Sequence, residues 1–107
     1  MNFRKYIKTL KKADDKEFVE LVRENNEPNI IGFDNGLYFG NDEVIIEFNS
    51  EDIYNYLKDI KKIELDFDNE DENFNEYLFN YYDHYEEEID NYFILKNKEY
   101  YIEQLKG

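Results

Sequence analysis

Apolar residues recur along this chain with a helical period at both ends and a strand period in the middle. Phe3, Ile7 and Leu10 fall on one helical face. Asp14 followed by Glu17 resembles a capping box that opens a second helix through Phe18, Leu21 and Val22, and Asn25, Asn26 and Pro28 end it. Three short apolar runs follow, Asn29 to Phe33, Leu37 to Phe39 and Glu43 to Phe48. The Asn35-Gly36 pair reads as a tight hairpin turn, and Gly40-Asn41-Asp42 as a second turn, so the middle is a β-meander. Asn49 or Ser50 can cap the next helix, whose core stripe is Ile53, Leu57 and Ile60, with Lys61 and Lys62 suited to its C-terminus.

Ile63 to Asp68 then alternates apolar and acidic, the pattern of a half-buried strand with Glu64, Asp66 and Asp68 facing solvent. After Asn69 the period changes. Phe74, Leu78, Tyr81, Tyr85, Ile89 and Tyr92 return at helical spacing, and Glu72, Glu76, Asp83, Glu87 and Asp90 project opposite them, with Glu86 at the margin. Glu70, Asp71 and Glu72 sit where the helix dipole favours negative charge. At 1.5 Å per residue the acidic stripe is about 27 Å long. Tyr92 to Leu95 and Tyr100 to Ile102 flank a Lys96-Asn97-Lys98 break and read as a terminal hairpin, a continued helix being the alternative. The predicted architecture is α+β: one domain over residues 1–107, an antiparallel meander packed against helices that include one long amphipathic acidic helix.

Charge gives this pattern its functional content. The net charge is -14, and from Glu64 to Asp90 twelve acids occur without one Lys or Arg. A helix surface tuned for stability mixes Glu with Lys at i,i+4. This one repels itself, which points to selection for a field, whereas the plain alternative is a solvated face. Aromatic residues make up 19% of the chain, too many for a disordered acidic tail. The opposite sign is gathered in Arg4, Lys5, Lys8, Lys11 and Lys12, either a second contact site or an internal or inter-subunit counter-charge. The segment Met1 to Lys5 has no long apolar run behind it, so neither a signal peptide nor a membrane span is expected, and the cytoplasm is the expected location.

The inventory of reactive groups is short. There is no Cys, one serine (Ser50), one threonine (Thr9) and one histidine (His84), which leaves little for nucleophilic catalysis or a zinc set. Asp66, Asp68 and Glu70 imitate the start of a calcium loop, but Asp71 stands at the glycine position and Tyr77 at the closing Glu position. Gly36 and Gly40 match no phosphate-loop pattern. A non-enzyme without cofactor or metal is expected. Phe79 projects onto the acidic side with Tyr82 at its edge; it is either covered by the C-terminal hairpin or an interface anchor.

With its small size and the uninterrupted acidic run from Glu64 through Asp68 to Asp90, the chain resembles the small acidic DNA-mimic inhibitors of phages and mobile elements, the anti-CRISPR and anti-restriction proteins. The resemblance implies that carboxylates stand in for phosphates in the cationic groove of a nucleic-acid-binding enzyme, such as a CRISPR nuclease. The expected contact residues are Glu64, Asp66, Asp68, Glu70, Asp71, Glu72, Glu76, Phe79, Asp83, Glu86, Glu87 and Asp90. The expected partner is a basic nucleic-acid-binding protein, with no direct nucleic-acid or membrane contact, and the chain itself a monomer or homodimer. The alternative is an immunity protein or antitoxin that blocks the basic active site of a nuclease toxin.

Overall fold

The computed structural model describes residues 2–32, 34–65 and 74–107. Helix α1 spans Phe3–Lys12, its first turn closed by the Asn2 side chain accepting from the Lys5 amide at 2.8 Å. Helix α2 spans Asp15–Asn25, and Asp14 accepts from the Glu17 amide at 2.9 Å, as the capping pattern predicts. Strands β1 (Asn29–Gly32), β2 (Gly36–Phe39) and β3 (Val44–Ile46) form an antiparallel sheet in the order β1-β2-β3. Leu37, Phe39, Val44 and Ile46 all face the core, while Tyr38 and Ile45, directly opposite one another, face outward.

The first hairpin differs from the expected two-residue turn. Gly36 is not the tip of the turn; it already pairs with Gly32, and the Asn35 amide donates back to the Gly32 carbonyl. Gly36 has φ 97°, and a Cβ there would lie 2.0 Å from the Ile46 carbonyl oxygen. The glycine is required by the close approach of β3 as well as by its own backbone angle.

Helix α3 covers Ser50–Asn55 and runs on as a π-helical turn, Tyr56–Ile60. Asn49 and Asp52 make a complete capping box at its start. It ends where Lys62 takes φ 57° and the Ile63 amide reaches back to the Leu57 carbonyl. Ile63–Leu65 is not a strand: the chain leaves the helix in a tight local turn, and these residues pair with none of the three strands. Ile63 and Leu65 are half-buried with Glu64 pointing out, so the alternation holds without the strand. The continuation of the expected strand at Asp66 and Asp68, and the acidic helix start at Glu70, Asp71 and Glu72, lie outside the described residues.

The long helix α4 spans Phe74–Lys96 but is kinked at Tyr85, whose φ and ψ of -116° and 25° leave the helical region. Its two halves pack on the same short stretch. Phe74 meets Tyr54 and Asn75 meets Ser50, while beyond the kink Tyr92 meets Tyr56 and Phe93 stacks on Phe48 at 4.5 Å.

The C-terminal segment is helix α5, Lys98–Lys106, and not the expected hairpin. Tyr101, Ile102 and Leu105 are buried at i, i+1 and i+4, a helical stripe. Asn97 is the whole break, its side chain donating to the Phe93 carbonyl at 2.8 Å. Tyr101 is central: its ring meets Phe18 and Phe39 edge-on at 6.0 and 5.4 Å, and its hydroxyl donates to Asp42. Asn26 joins this polar knot, donating to Asp42 at 2.8 Å and accepting from the Asn41 amide at 2.7 Å. One buried cluster thus ties α2, the β2–β3 turn and α5 together, making the chain a single α+β unit.

Candidate partner-binding face

The kink at Tyr85 decides what α4 shows to solvent. On an uninterrupted helix Asp90 would stand about 120° from Leu78, twelve residues before it, on the outer side. In the structure the buried positions are Leu78 and Tyr82 before the kink, then Ile89, Asp90, Phe93 and Ile94 after it. Asp90 is therefore a correction to the acidic face: it is 2% exposed, inside the protein. Helix α2 covers that side, with Arg23 Nε donating to the Asn91 side chain at 2.8 Å. Tyr82, expected at the edge of the acidic side, is also buried, and its hydroxyl donates to Asp90 Oδ1 at 2.7 Å. The one hint of this in the sequence is the run Tyr92-Phe93-Ile94-Leu95. It is apolar on every side and so marks a helix end enclosed by other elements.

Burial pushes the Asp90 carboxyl up to about 6; the Tyr82 hydroxyl and the Arg23 charge pull it down, and Glu86 pushes it further up. Asp90 releases its proton more reluctantly in the fold than in the open chain. Its cost to stability is absent below the ordinary carboxylate value near 3.8, grows as pH rises, and is complete above about 6. A displacement of that size costs the ionised fold roughly 3 kcal/mol. Asp90→Asn, which keeps an acceptor for Tyr82, is expected to melt on the order of 10 °C higher than the parent at pH 7.5 and at the same temperature near pH 4. Thermal melts of both chains across that range check it; a parent favoured at pH 7.5 would show that Arg23 outweighs desolvation.

The other described acids of the predicted face are where the pattern puts them. Glu64, Glu76, Asp83, Glu86 and Glu87 are exposed. Glu76 and Asp83, at i and i+7, share one face of the first half of α4, and Glu86 and Glu87 continue the exposed acidic row just beyond the kink. Phe79 stands among them and is 54% exposed. His84 is exposed, with its ring edge-on to Tyr85 at 4.6 Å. A flanking cation, Lys61, pairs with Glu88 at 2.5 Å and lies over the Tyr85 ring. Contact with the Glu88 carboxylate raises the Lys61 amine above its ordinary value. Glu76, Asp83, Glu86 and Glu87 have no ion pair among the described residues. Asp66, Asp68, Glu70, Asp71 and Glu72 lie outside the described residues.

Such a row can present negative charge to a cationic surface, with one aromatic side chain at its centre. Among the described residues no group of three or more acids or histidines is placed to hold a metal ion, and no helix is long and apolar enough to cross a membrane. No protein-family model matches the chain, and neither a curated protein nor a solved structure is significantly similar to it.

Proposed function

We propose that the chain is a non-enzymatic inhibitor that occupies the cationic nucleic-acid groove of a DNA-binding enzyme, such as a CRISPR nuclease, by offering carboxylates where the groove expects phosphates. The observation that carries this reading is the exposed row Glu76, Asp83, Glu86 and Glu87. It has no ion-paired cation among the described residues, in a stretch without Lys or Arg from Glu64 to Asp90. Holding such a row together costs self-repulsion, a few tenths of a kcal/mol per adjacent pair, that interspersed lysines would remove. A groove lined with Lys and Arg offsets that repulsion on binding. Association should be fast and should weaken as salt rises, because exposed charges act over about 8 Å at physiological ionic strength.

The test is capture on the immobilised chain from a lysate of the cell that carries it, eluted by rising salt and, separately, by duplex DNA. Recovery of a nucleic-acid-binding enzyme released by both supports the proposal. Recovery of one small basic toxin replaces it with the immunity-protein reading. If nothing elutes specifically, the row is a solvated surface and the proposal fails.

Phe79 supplies the short-range part of the same reading. Aromatic anchors dominate interface energy, while the surrounding charges mainly steer encounter. With the captured partner, Phe79→Ala is expected to accelerate dissociation about tenfold, close to 1.4 kcal/mol, with little change in the association rate. Surface plasmon resonance reads both rates. Loss of the native circular dichroism spectrum in this variant would instead show that Phe79 supports the fold.

A further inference from the structure

We infer that the basic face of α1 is a docking surface for the acidic α4 row of a second copy of this chain. On α1, Arg4, Lys8 and Lys11 lie in line, with Lys5 and Lys12 beside them, all five within an arc of about 120° and over about 12 Å of helix. All five are exposed. Ile7 and Leu10, on the opposite side, anchor the helix to the core, and α1 packs on α5.

The protein has 27 acids, yet none of these five cations forms an ion pair among the described residues. Lys11 instead lies beside the Lys106 amine, and this contact with a like charge lowers its proton affinity. The fold therefore does not use α1 to neutralise its own acidic face. In a molecule measuring 52 × 23 × 18 Å, α1 packs mainly on α5, whereas α4 packs mainly on α2 and α3. Exposed charges are screened from one another beyond about 8 Å at physiological ionic strength, so an approaching molecule responds to the local patch more than to the net charge of -14.

The dimensions favour a compact acidic helix over a nucleic acid. Glu76 and Asp83 stand about 10 Å apart along the first half of α4, with Glu86 and Glu87 just beyond the kink, a span comparable with the α1 patch. A duplex would place about seven phosphate charges over the same 12 Å and then continue across a surface whose acids repel it. In a second copy the exposed acids of α4 end at Glu88, so the complementary charge stops within a comparable length. The inference stands apart from the inhibitor reading, since it needs only that the row be exposed and anionic.

Sedimentation of the full chain over a range of concentrations, at low and at high salt, tests it. The weight-average mass should rise above the monomer with concentration at low salt and return to the monomer at high salt. Lys8→Glu with Lys11→Glu, or Glu76→Lys with Asp83→Lys in a separate chain, should each weaken association at least about tenfold. Mixing the two variants should restore it, because each supplies the sign the other has lost. All four positions are exposed, so both variants should keep the parent circular dichroism spectrum, and the salt dependence of the unmodified chain is a reading independent of them. A parent that stays monomeric at low salt would overturn the inference. So would variants that associate like the parent, or a mixture that stays monomeric. Binding of a short duplex by a monomeric parent, removed by Lys8→Glu with Lys11→Glu, would overturn it in favour of nucleic acid.

Discussion

Gly36→Ala is expected to abolish the native fold, the largest effect of any single methyl group in this protein. The added carbon would sit 2.0 Å from the Ile46 carbonyl oxygen and 2.8 Å from the Glu47 Cα, both backbone atoms that cannot move without unpairing β2 from β3. The left-handed φ of 97° adds strain for any residue with a side chain. Strain of that kind alone costs about 1–3 kcal/mol, and the steric conflict comes on top, against a total stability of about 5–15 kcal/mol for a domain of this size. Gly40→Ala is the internal control. Its Cβ would meet only the edge of the Tyr38 ring at 3.6 Å, an ordinary contact, so its melting curve should stay near the parent's. Urea titration followed by circular dichroism distinguishes the two. A cooperative transition for Gly36→Ala within about 1 kcal/mol of the parent would show that β3 can yield there.

The second large effect concerns the acidic row. Replacing Glu76, Asp83 and Glu87 together by Gln, Asn and Gln is expected to lower affinity for the captured partner about a hundredfold or more, close to 3 kcal/mol, and to flatten its salt dependence. The same triple variant should melt no lower than the parent, because it removes like-charge repulsion and buries nothing. Binding and stability should therefore move in different directions, which separates loss of an interface from loss of structure. Binding that survives the three changes with an unaltered salt slope would remove the row from the interface.

Asp90 shows why one acid of the row behaves unlike the rest. By composition and spacing it belongs with Asp83 and Glu87, but it contributes no field at the surface because α2 closes over it and Tyr82 holds its oxygen. Asp90→Asn should leave partner binding unchanged while shifting the pH dependence of melting. The acids of α4 thus divide by burial, and only the exposed ones are available to a partner.

Much of this was legible in local pattern. The buried stripes with Ile7, Leu10, Phe18 and Val22, the Asp14 and Asn49 caps and the three short strands follow from periods of 3.6 and 2 and from side chains reaching their own backbone, whereas Phe3 and Ile60, which the same periods put with the core, are exposed. The exposure of Glu76, Phe79 and Asp83 follows from the same projection, because over the first half of α4 the helix keeps a constant phase, while Glu86 and Glu87, also exposed, lie just beyond the kink. Three features required contacts between segments distant in sequence. Gly36 looked like a turn residue, and only the approach of β3 reveals it as a point of backbone contact. Tyr100 to Ile102 carries strand-prone residues, yet the space between α1, β3 and the Tyr101 partners Phe18 and Phe39 accepts a helix. The kink at Tyr85, set where both halves of α4 pack on residues 48–56, breaks the phase that a projection assumes and turns Asp90 inward beneath α2. By itself, then, the sequence determined the elements and the sign of the surface, since both depend on neighbours a few residues apart. Which acid is buried, and where the long helix bends, the tertiary structure alone decided, because those depend on what another part of the chain places against it.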